Sequence, residues 1–148
     1  MPGQQVATPA ERATAERERR GRRAFAAGCI ALLNGRPERV DDDLVVALGG
    51  AHAENVLAGA EGGKGGYWPR VWAARALLHA WDETAAPAIA RAAGDESWRV
   101  REMAAKVAAR HAVGDALGAM SHLAEHDESQ RVRAAASRAV ILIVERDR

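Results

Sequence analysis

The sequence predicts an all-α protein in which one helical unit repeats along the chain. Residues 95–108 (DESWRVREMAAKVA) and 127–140 (DESQRVRAAASRAV) share one pattern, and a fainter copy, YWPRVWAARAL, lies upstream at 67–77. The shared arginine recurs after 31 and then 32 residues, at Arg70, Arg101 and Arg133. A fixed period of this size is typical of stacked repeats, and no strand pattern interrupts it. We therefore expect an α-solenoid of stacked antiparallel helix pairs.

Composition agrees with packed helices and narrows the functional classes. The 148 residues are 48% hydrophobic but only 4% aromatic, and the abundant alanine favours closely packed helices. A net charge of +1 supplies no global attraction to nucleic acid or membrane. The single Cys29 argues against an internal disulfide or a multi-cysteine metal site. Without an apolar signal segment or a membrane-length apolar run, a cytoplasmic location is expected.

The first part of the chain predicts a charged segment followed by N-terminal capping helices. Thr8 to Glu11 have the pattern of a helix N-cap with proline at the first helical position. The arginine- and glutamate-rich stretch that follows offers little to bury, so residues 1–23 are expected to be partly disordered or a fraying helix. An apolar stripe begins at Phe25. Residues 24–148 are therefore expected to form a single solenoid domain.

Glycines and acidic residues mark the breaks between the next helices. The carboxylates of residues 41–43 suit a helix N-terminus, and Gly49-Gly50 separates two short helices. The run at residues 62–66, GGKGG, lacks the serine or threonine and the preceding strand of a phosphate-binding loop, so it predicts a flexible turn. Further helices are expected to begin near residues 67, 82, 98, 114 and 129.

The repeated segments resemble HEAT-type repeats of the short bacterial kind, as found in phycobilisome-lyase-like proteins. The pattern is an Asp, a Val-Arg five and six residues later, and small residues beyond, as in Asp95…Val100-Arg101…Ala104-Ala105. The resemblance implies a right-handed, ARM-type α-solenoid of about three repeats plus capping helices. It also implies a structural ladder of hydrogen bonds along the stack, formed by Asp95, Arg101, Asp127 and Arg133. In the first copy Lys64 replaces the Asp and Pro69 replaces the Val, so the ladder is expected to break there.

Matched small residues, Ala73, Ala104 and Ala136, lie on the side of the second helices that is predicted to form the core. The opposite side carries the candidate functional residues. Their spacings of three and four residues place them on one face of each helix, and the resemblance implies that this face lines the concave surface. Basic side chains repeat along it, with tryptophans at one end. The predicted partner-binding residues are Trp68, Trp72, Arg75, His79, Arg99, Lys106, Arg110, Arg131 and Arg138.

This face predicts a non-enzymatic scaffold that binds an acidic protein or peptide. The alternative is a nucleic-acid backbone held by the cations, with tryptophan as a stacking surface. A protein partner is favoured because duplex binders usually carry more positive charge. The apolar C-terminal run, VILIV at residues 140–144, should pack under the last repeat or against a partner, so oligomerisation through it remains an option.

Two enzymatic interpretations carry less weight. His122, Glu125 and His126 match the inverted zincin pattern HxxEH, but no histidine follows that could supply a third ligand. Trp68, Trp72, Arg75 and Asp82 could imitate the site of HEAT-like alkylpurine DNA glycosylases, which look substantially longer than this chain. The sequence therefore predicts no catalytic residue, no metal and no cofactor.

Overall fold

Helices and short 3₁₀ turns account for most of the backbone in the computed structural model, which describes residues 6–148. Within that range there are nine α-helices. Their bounds are α1 (Pro9–Arg20), α2 (Arg22–Leu33), α3 (Asp42–Gly49), α4 (Ala53–Leu57), α5 (Tyr67–His79), α6 (Ala86–Ala92), α7 (Trp98–Arg110), α8 (Leu117–His126) and α9 (Gln130–Arg146). The predicted all-α class and the breaks between helices are confirmed.

The helices stack in two layers, as expected for an α-solenoid. Helices α5, α7 and α9 lie side by side and form the second-helix layer, while α2, α6 and α8 follow one another in the first-helix layer. Two complete pairs, α6/α7 and α8/α9, are consecutive in the chain. The pair at the N-terminal end differs, because α5 packs mainly on α2 rather than on the short α4 that precedes it. The first repeat is therefore completed by the N-terminal region.

Residues 9–20, which lie within the segment 1–23 expected to be partly disordered or a fraying helix, form helix α1, and this helix packs against the rest of the fold. Its N-terminus has a capping box, in which the Glu11 amide donates to Thr8 Oγ1 and the Thr8 amide donates to Glu11 Oε1, each at 3.1 Å. Ala13 is only 1% exposed, and α1 packs against α2, α3 and α5. Ala13 and Glu16 are buried and Arg12 is half-buried, so α1 buries more of its surface than its charge suggested. Residues 1–5 lie outside the described range.

The core consists of small apolar residues at matched repeat positions. Ala73, Ala104 and Ala136 are each fully buried, which lets adjacent second helices approach closely. Val140 is half-buried although its counterparts Leu77 and Ala108 are buried, because among the described helices only α7 and α8 pack extensively on α9. On the same helix Ile143 is buried, whereas Ile141 and Val144 are 57% and 41% exposed.

Side-chain contacts fix the glycine-rich segment at residues 59–66, which the sequence had predicted to be a flexible turn. Lys64 Nζ lies 2.8 Å from Asp42 Oδ1 and also donates to the Val40 carbonyl. Glu61 has a φ of 53°, a left-handed conformation that is uncommon for a residue with a side chain. Its carboxylate accepts hydrogen bonds from Tyr67 Oη (2.7 Å) and Trp68 Nε1 (2.8 Å). These bonds fasten the segment to the start of α5.

Candidate functional site: a basic groove between α5, α7 and α9

Aspartate and arginine side chains join each repeat to the next. Arg70 Nε lies 2.8 Å from Asp95 Oδ2, and Arg101 Nε lies 2.7 Å from Asp127 Oδ2. In both pairs a second guanidinium nitrogen reaches the other carboxylate oxygen, at 3.2 and 3.3 Å. Such two-pronged pairing is geometrically specific. All four side chains are largely buried, so they contribute to stacking rather than to a surface.

The repeated arginines Arg70, Arg101 and Arg133 also donate hydrogen bonds to the turns of their own repeats. Arg101 Nη1 donates to the Asp95 carbonyl at 2.8 Å, and Arg133 Nη1 donates to the Asp127 carbonyl. Burial alone would raise the pKa of Asp127, but the hydrogen bonds from Arg101 and the Ser129 amide lower it below the usual value. At the first repeat Arg70 donates to the Gly65 and Gly66 carbonyls, while Lys64 turns away to Asp42. The upstream turn therefore has no carboxylate in the ladder.

A line of stacked aromatic and guanidinium groups crosses the N-termini of α5, α7 and α9. The Arg99 guanidinium lies 5.7 Å from the Trp68 ring centroid and 4.7 Å from that of Trp98. Arg131 lies 5.3 Å from the Trp98 ring and donates to Glu102 Oε2 at 2.8 Å. Cation–π contacts at such distances are attractive. Trp68, Arg99 and Arg131 are thus engaged with other side chains of the same chain.

The structure corrects the expected exposure of Trp72 and limits that of Arg75. Trp72 is only 3% exposed, and its ring occupies the space above Gly49, where a Cβ atom would lie 2.5 Å from Trp72 Cε3. Arg75 is half-buried and donates to the Leu48 carbonyl at 2.9 Å. Burial, and the nearby charge of Arg12, lower the pKa of Arg75. Both residues lie under α1 and α3, whose packing on α5 the repeat pattern did not reveal.

Beyond this covered part, the second-helix face opens into a groove that we call the basic groove. It has a volume of about 440 Å³. Three exposed cations, Lys106, Arg110 and Arg138, border it. The remaining lining is apolar and comes from all three second helices: Leu78, Ala109, Ala135 and Leu142. The repeat alignment had identified the cations, but it did not single out Leu78 and Ala109 as part of an apolar floor.

Electrostatics in the basic groove are dominated by positive charge. Lys106 Nζ has one carboxylate neighbour, Glu102 Oε1 at 3.6 Å. In the described part of the chain, neither Arg110 nor Arg138 has an ion pair or a side-chain hydrogen bond. Partial burial lowers the pKa of His79, and the charges of Arg110 and Arg75 lower it further. The groove therefore attracts anionic groups, whereas His79, although close enough to feel the charge of Arg110, is not among its lining residues.

The residues of the two enzymatic interpretations do not form a site. The rings of His122 and His126 have centroids 4.9 Å apart, but over residues 6–148 no group of three or more His, Cys, Asp or Glu is placed to hold a metal ion. Asp82 accepts hydrogen bonds from Thr84 and pairs with Arg22 beyond the end of α5, while Trp68 lies at its start. A 13-residue helix separates them by about 20 Å.

Comparison with known proteins identifies the repeats. A family model described as HEAT repeats matches residues 67–141, which span α5 to most of α9. No curated protein and no solved structure shows significant similarity to this chain. Among the described helices, none is both long enough and apolar enough to span a bilayer. The match and the stacked helix pairs agree, and the chain belongs to the HEAT-repeat family.

Proposed function

We propose that this chain is a non-enzymatic binding module whose basic groove holds an acidic, amphipathic segment of a protein partner. HEAT repeats are in general protein-interaction scaffolds and are typically non-catalytic. The observation that carries the proposal is the combination of three exposed cations with an apolar floor in one groove. The partner chemistry that matches this combination is a helix with Asp or Glu beside an apolar stripe.

Each part of the groove has a separate role in this proposal. Leu78 and Leu142 provide apolar contact, which supplies most of the affinity because removing apolar surface from water is favourable. Lys106 and Arg138 steer the acidic partner and fix its orientation, since exposed charge pairs affect association rate and specificity more than affinity. Binding should therefore weaken with added salt without disappearing.

Nucleic acid is the second candidate partner, and fewer features of the structure support it than support a protein partner. The sequence-based interpretation required tryptophans as stacking surfaces, but Trp72 is buried and Trp68 lies beside Trp72 with ring centroids 6.2 Å apart. The cations that remain open flank apolar side chains rather than exposed aromatic rings. A backbone-only contact would show a steep salt dependence, which separates it from the protein-binding proposal.

The decisive experiment compares two double charge reversals that change net charge equally. Lys106→Glu with Arg138→Glu alters the basic groove, and Arg23→Glu with Arg148→Glu alters exposed arginines that lie outside it. Each variant and the parent chain are immobilised and incubated with cell lysate, and the captured proteins are identified by quantitative mass spectrometry. We expect the groove variant to lose an acidic partner at least tenfold relative to both other baits. Circular dichroism and thermal melting check that all three are folded.

Equal capture by the groove variant and the parent would overturn the proposal. For the nucleic-acid alternative, anisotropy of labelled single- and double-stranded oligonucleotides is measured at low and physiological salt. A signal that is strong at low salt, falls steeply with salt and is lost in Lys106→Glu/Arg138→Glu would replace the protein partner by nucleic acid.

A further inference from the structure

A larger groove, here called the α2 groove, lies on the first-helix layer. Its volume is about 1060 Å³. It runs between α2, the segment 34–41, the start of α3 and the last turn of α6, with Ala27, Ala31 and Leu44 among its lining residues. The HEAT-repeat match begins at residue 67 and does not include α2. Apart from Arg91 of α6, the lining residues of this groove therefore lie outside the matched repeats.

Helix α2 lacks the polar outer face that a surface helix normally carries. Every residue from Ala24 to Leu33 is apolar or glycine, and a helix that is apolar all round is normally covered on all sides. Here Phe25 and Cys29 are buried in the core, whereas Ala24 and Ala27 are exposed in the groove wall. Ten residues cannot cross a membrane. The open side of α2 has the composition of a covered surface.

Arginines border the α2 groove on several sides. Arg36 and Arg39 are exposed, and along residues 6–148 their side chains have no hydrogen bond or ion pair. Arg91 donates to the neutral amide oxygen of Asn34 at 3.2 and 3.3 Å, which leaves its charge uncompensated. Arg20, by contrast, is neutralised by Asp41 at 2.7 and 2.9 Å. The groove thus combines an apolar wall with three uncompensated guanidinium groups.

We propose that the α2 groove is a second docking site, which binds an amphipathic helix of a partner protein through the helix's apolar face and acidic flanks. The small residues of α2 allow another helix backbone to approach closely, as small residues do in packed helix pairs. The guanidinium groups of Arg36, Arg39 and Arg91 are suited to two-pronged contact with Asp or Glu side chains. A bilayer surface cannot follow a concave groove of this kind, and charge complementarity therefore favours a helix. The site does not depend on the basic groove.

The test uses the full chain and a synthetic probe peptide of about 18 residues, or five helical turns. The peptide has alanine and leucine on one face and glutamate on both borders; a second peptide replaces every glutamate by lysine. Amide chemical shifts of the ¹⁵N-labelled chain are followed during titration. We expect the glutamate peptide to shift residues 24–39 and Arg91. The lysine peptide should bind at least tenfold more weakly.

Variants separate this site from the basic groove. Arg36→Glu/Arg39→Glu, and separately Ala27→Glu at an exposed position of α2, should each weaken the peptide at least tenfold at residues 24–39. Lys106→Glu/Arg138→Glu should leave those shifts unchanged, so either proposal can fail while the other stands. Equal affinity for both peptides, or shifts at residues 24–39 that survive both α2-groove changes, would overturn this proposal.

Two other occupants would also overturn it. Concentration-dependent self-association in sedimentation equilibrium, abolished by Ala27→Glu, would assign the α2 groove to a second copy of the chain. Co-flotation with vesicles of anionic phospholipid, abolished by the same change, would assign it to a membrane surface. We expect the chain to be monomeric, to show no co-flotation with vesicles and to bind the glutamate peptide at residues 24–39.

Discussion

The two ends of the second-helix face carry equivalent residues in opposite environments. Trp72 of α5 and Met103 of α7 occupy the same repeat position, yet Trp72 is buried and Met103 is half-buried. Arg75 and Lys106 are equivalent too, but Arg75 donates to the Leu48 carbonyl under the N-terminal helices whereas Lys106 is exposed. Repeat position therefore fixes which way a side chain points. Whether that direction leads to solvent depends on what packs above it.

The covering of α5 also explains why charge is tolerated there. The Leu48 carbonyl lies at the end of α3, and both Arg75 and Arg12 donate to it, at 2.9 and 3.4 Å. Carbonyl groups at a helix C-terminus carry partial negative charge and favour cations. The repeat position that carries the exposed Lys106 in α7 thus carries a helix-capping arginine, Arg75, in α5.

Truncating Trp72 should give the largest effect and test the covered end directly. We expect Trp72→Ala to lower the free energy of unfolding by about 3–5 kcal/mol, because it leaves a large cavity between α5 and α3. The equivalent change Met103→Ala should cost about 1–2 kcal/mol, since that side chain is already partly in solvent. Urea denaturation followed by circular dichroism measures both. Similar losses at the two positions would mean that the N-terminal helices do not seal α5.

The aspartate–arginine ladder should be insensitive to this difference between the ends. Asp95→Ala and Asp127→Ala each remove the two-pronged carboxylate partner of a largely buried arginine, and such a loss costs about 3 kcal/mol. Arg70 keeps only a longer contact of 3.8 Å to the exposed Glu96. We expect the two losses to agree closely, because both pairs have the same geometry. Arg131→Ala, which removes an exposed ion pair with Glu102, should cost under about 1 kcal/mol. Unfolding in urea supplies the comparison, and a much smaller loss for Asp95→Ala would contradict it.

Glycine substitutions offer a finer test of the contact that buries Trp72. Gly49→Ala places a Cβ atom against the tryptophan ring, and overpacking of this kind costs about 1–3 kcal/mol. Gly118 is its matched control, since it lies inside helix α8 with no atom within 4 Å of a built Cβ. Gly118→Ala should instead stabilise by about 0.5–1 kcal/mol through helix propensity. Thermal melting distinguishes the signs; stabilisation by Gly49→Ala would show that α3 lies further from α5.

The smallest expected effect is a change in acid sensitivity at the open end. The folded-state pKa of Asp127 is lowered from 3.8, so its contribution is fully present above the pKa of the unfolded chain. That contribution is lost as pH falls below about 4, through the lower folded value. Asp127→Asn should therefore be less stable near neutral pH and lose less on acidification. Urea midpoints between pH 7 and pH 3 test this, and parallel curves for the two proteins would contradict it.

Much of the fold follows from local patterns that the sequence shows openly. The repeat period, the Thr8 capping box and the glycines after α3 act over a few residues, so they predicted the helices and their breaks. The buried alanines of α5, α7 and α9 also followed from alignment of the repeats. The two grooves were harder to see. Lys106, Arg110 and Arg138 could be aligned, but their apolar floor joins three helices that are distant in the chain.

Sequence alone determined that this protein is a stack of HEAT repeats with cations at one repeated position. It could not determine which copies of that position are exposed, because the repeat pattern contains no information on how the N-terminal helices pack on α5. Tertiary structure decided that α1 and α3 bury Trp72 and partly cover Arg75, while Lys106 and Arg138 remain exposed. It also decided that the apolar outer side of α2 faces a groove bordered by Arg36, Arg39 and Arg91. Long-range packing sets exposure, and exposure selects the surfaces that can bind.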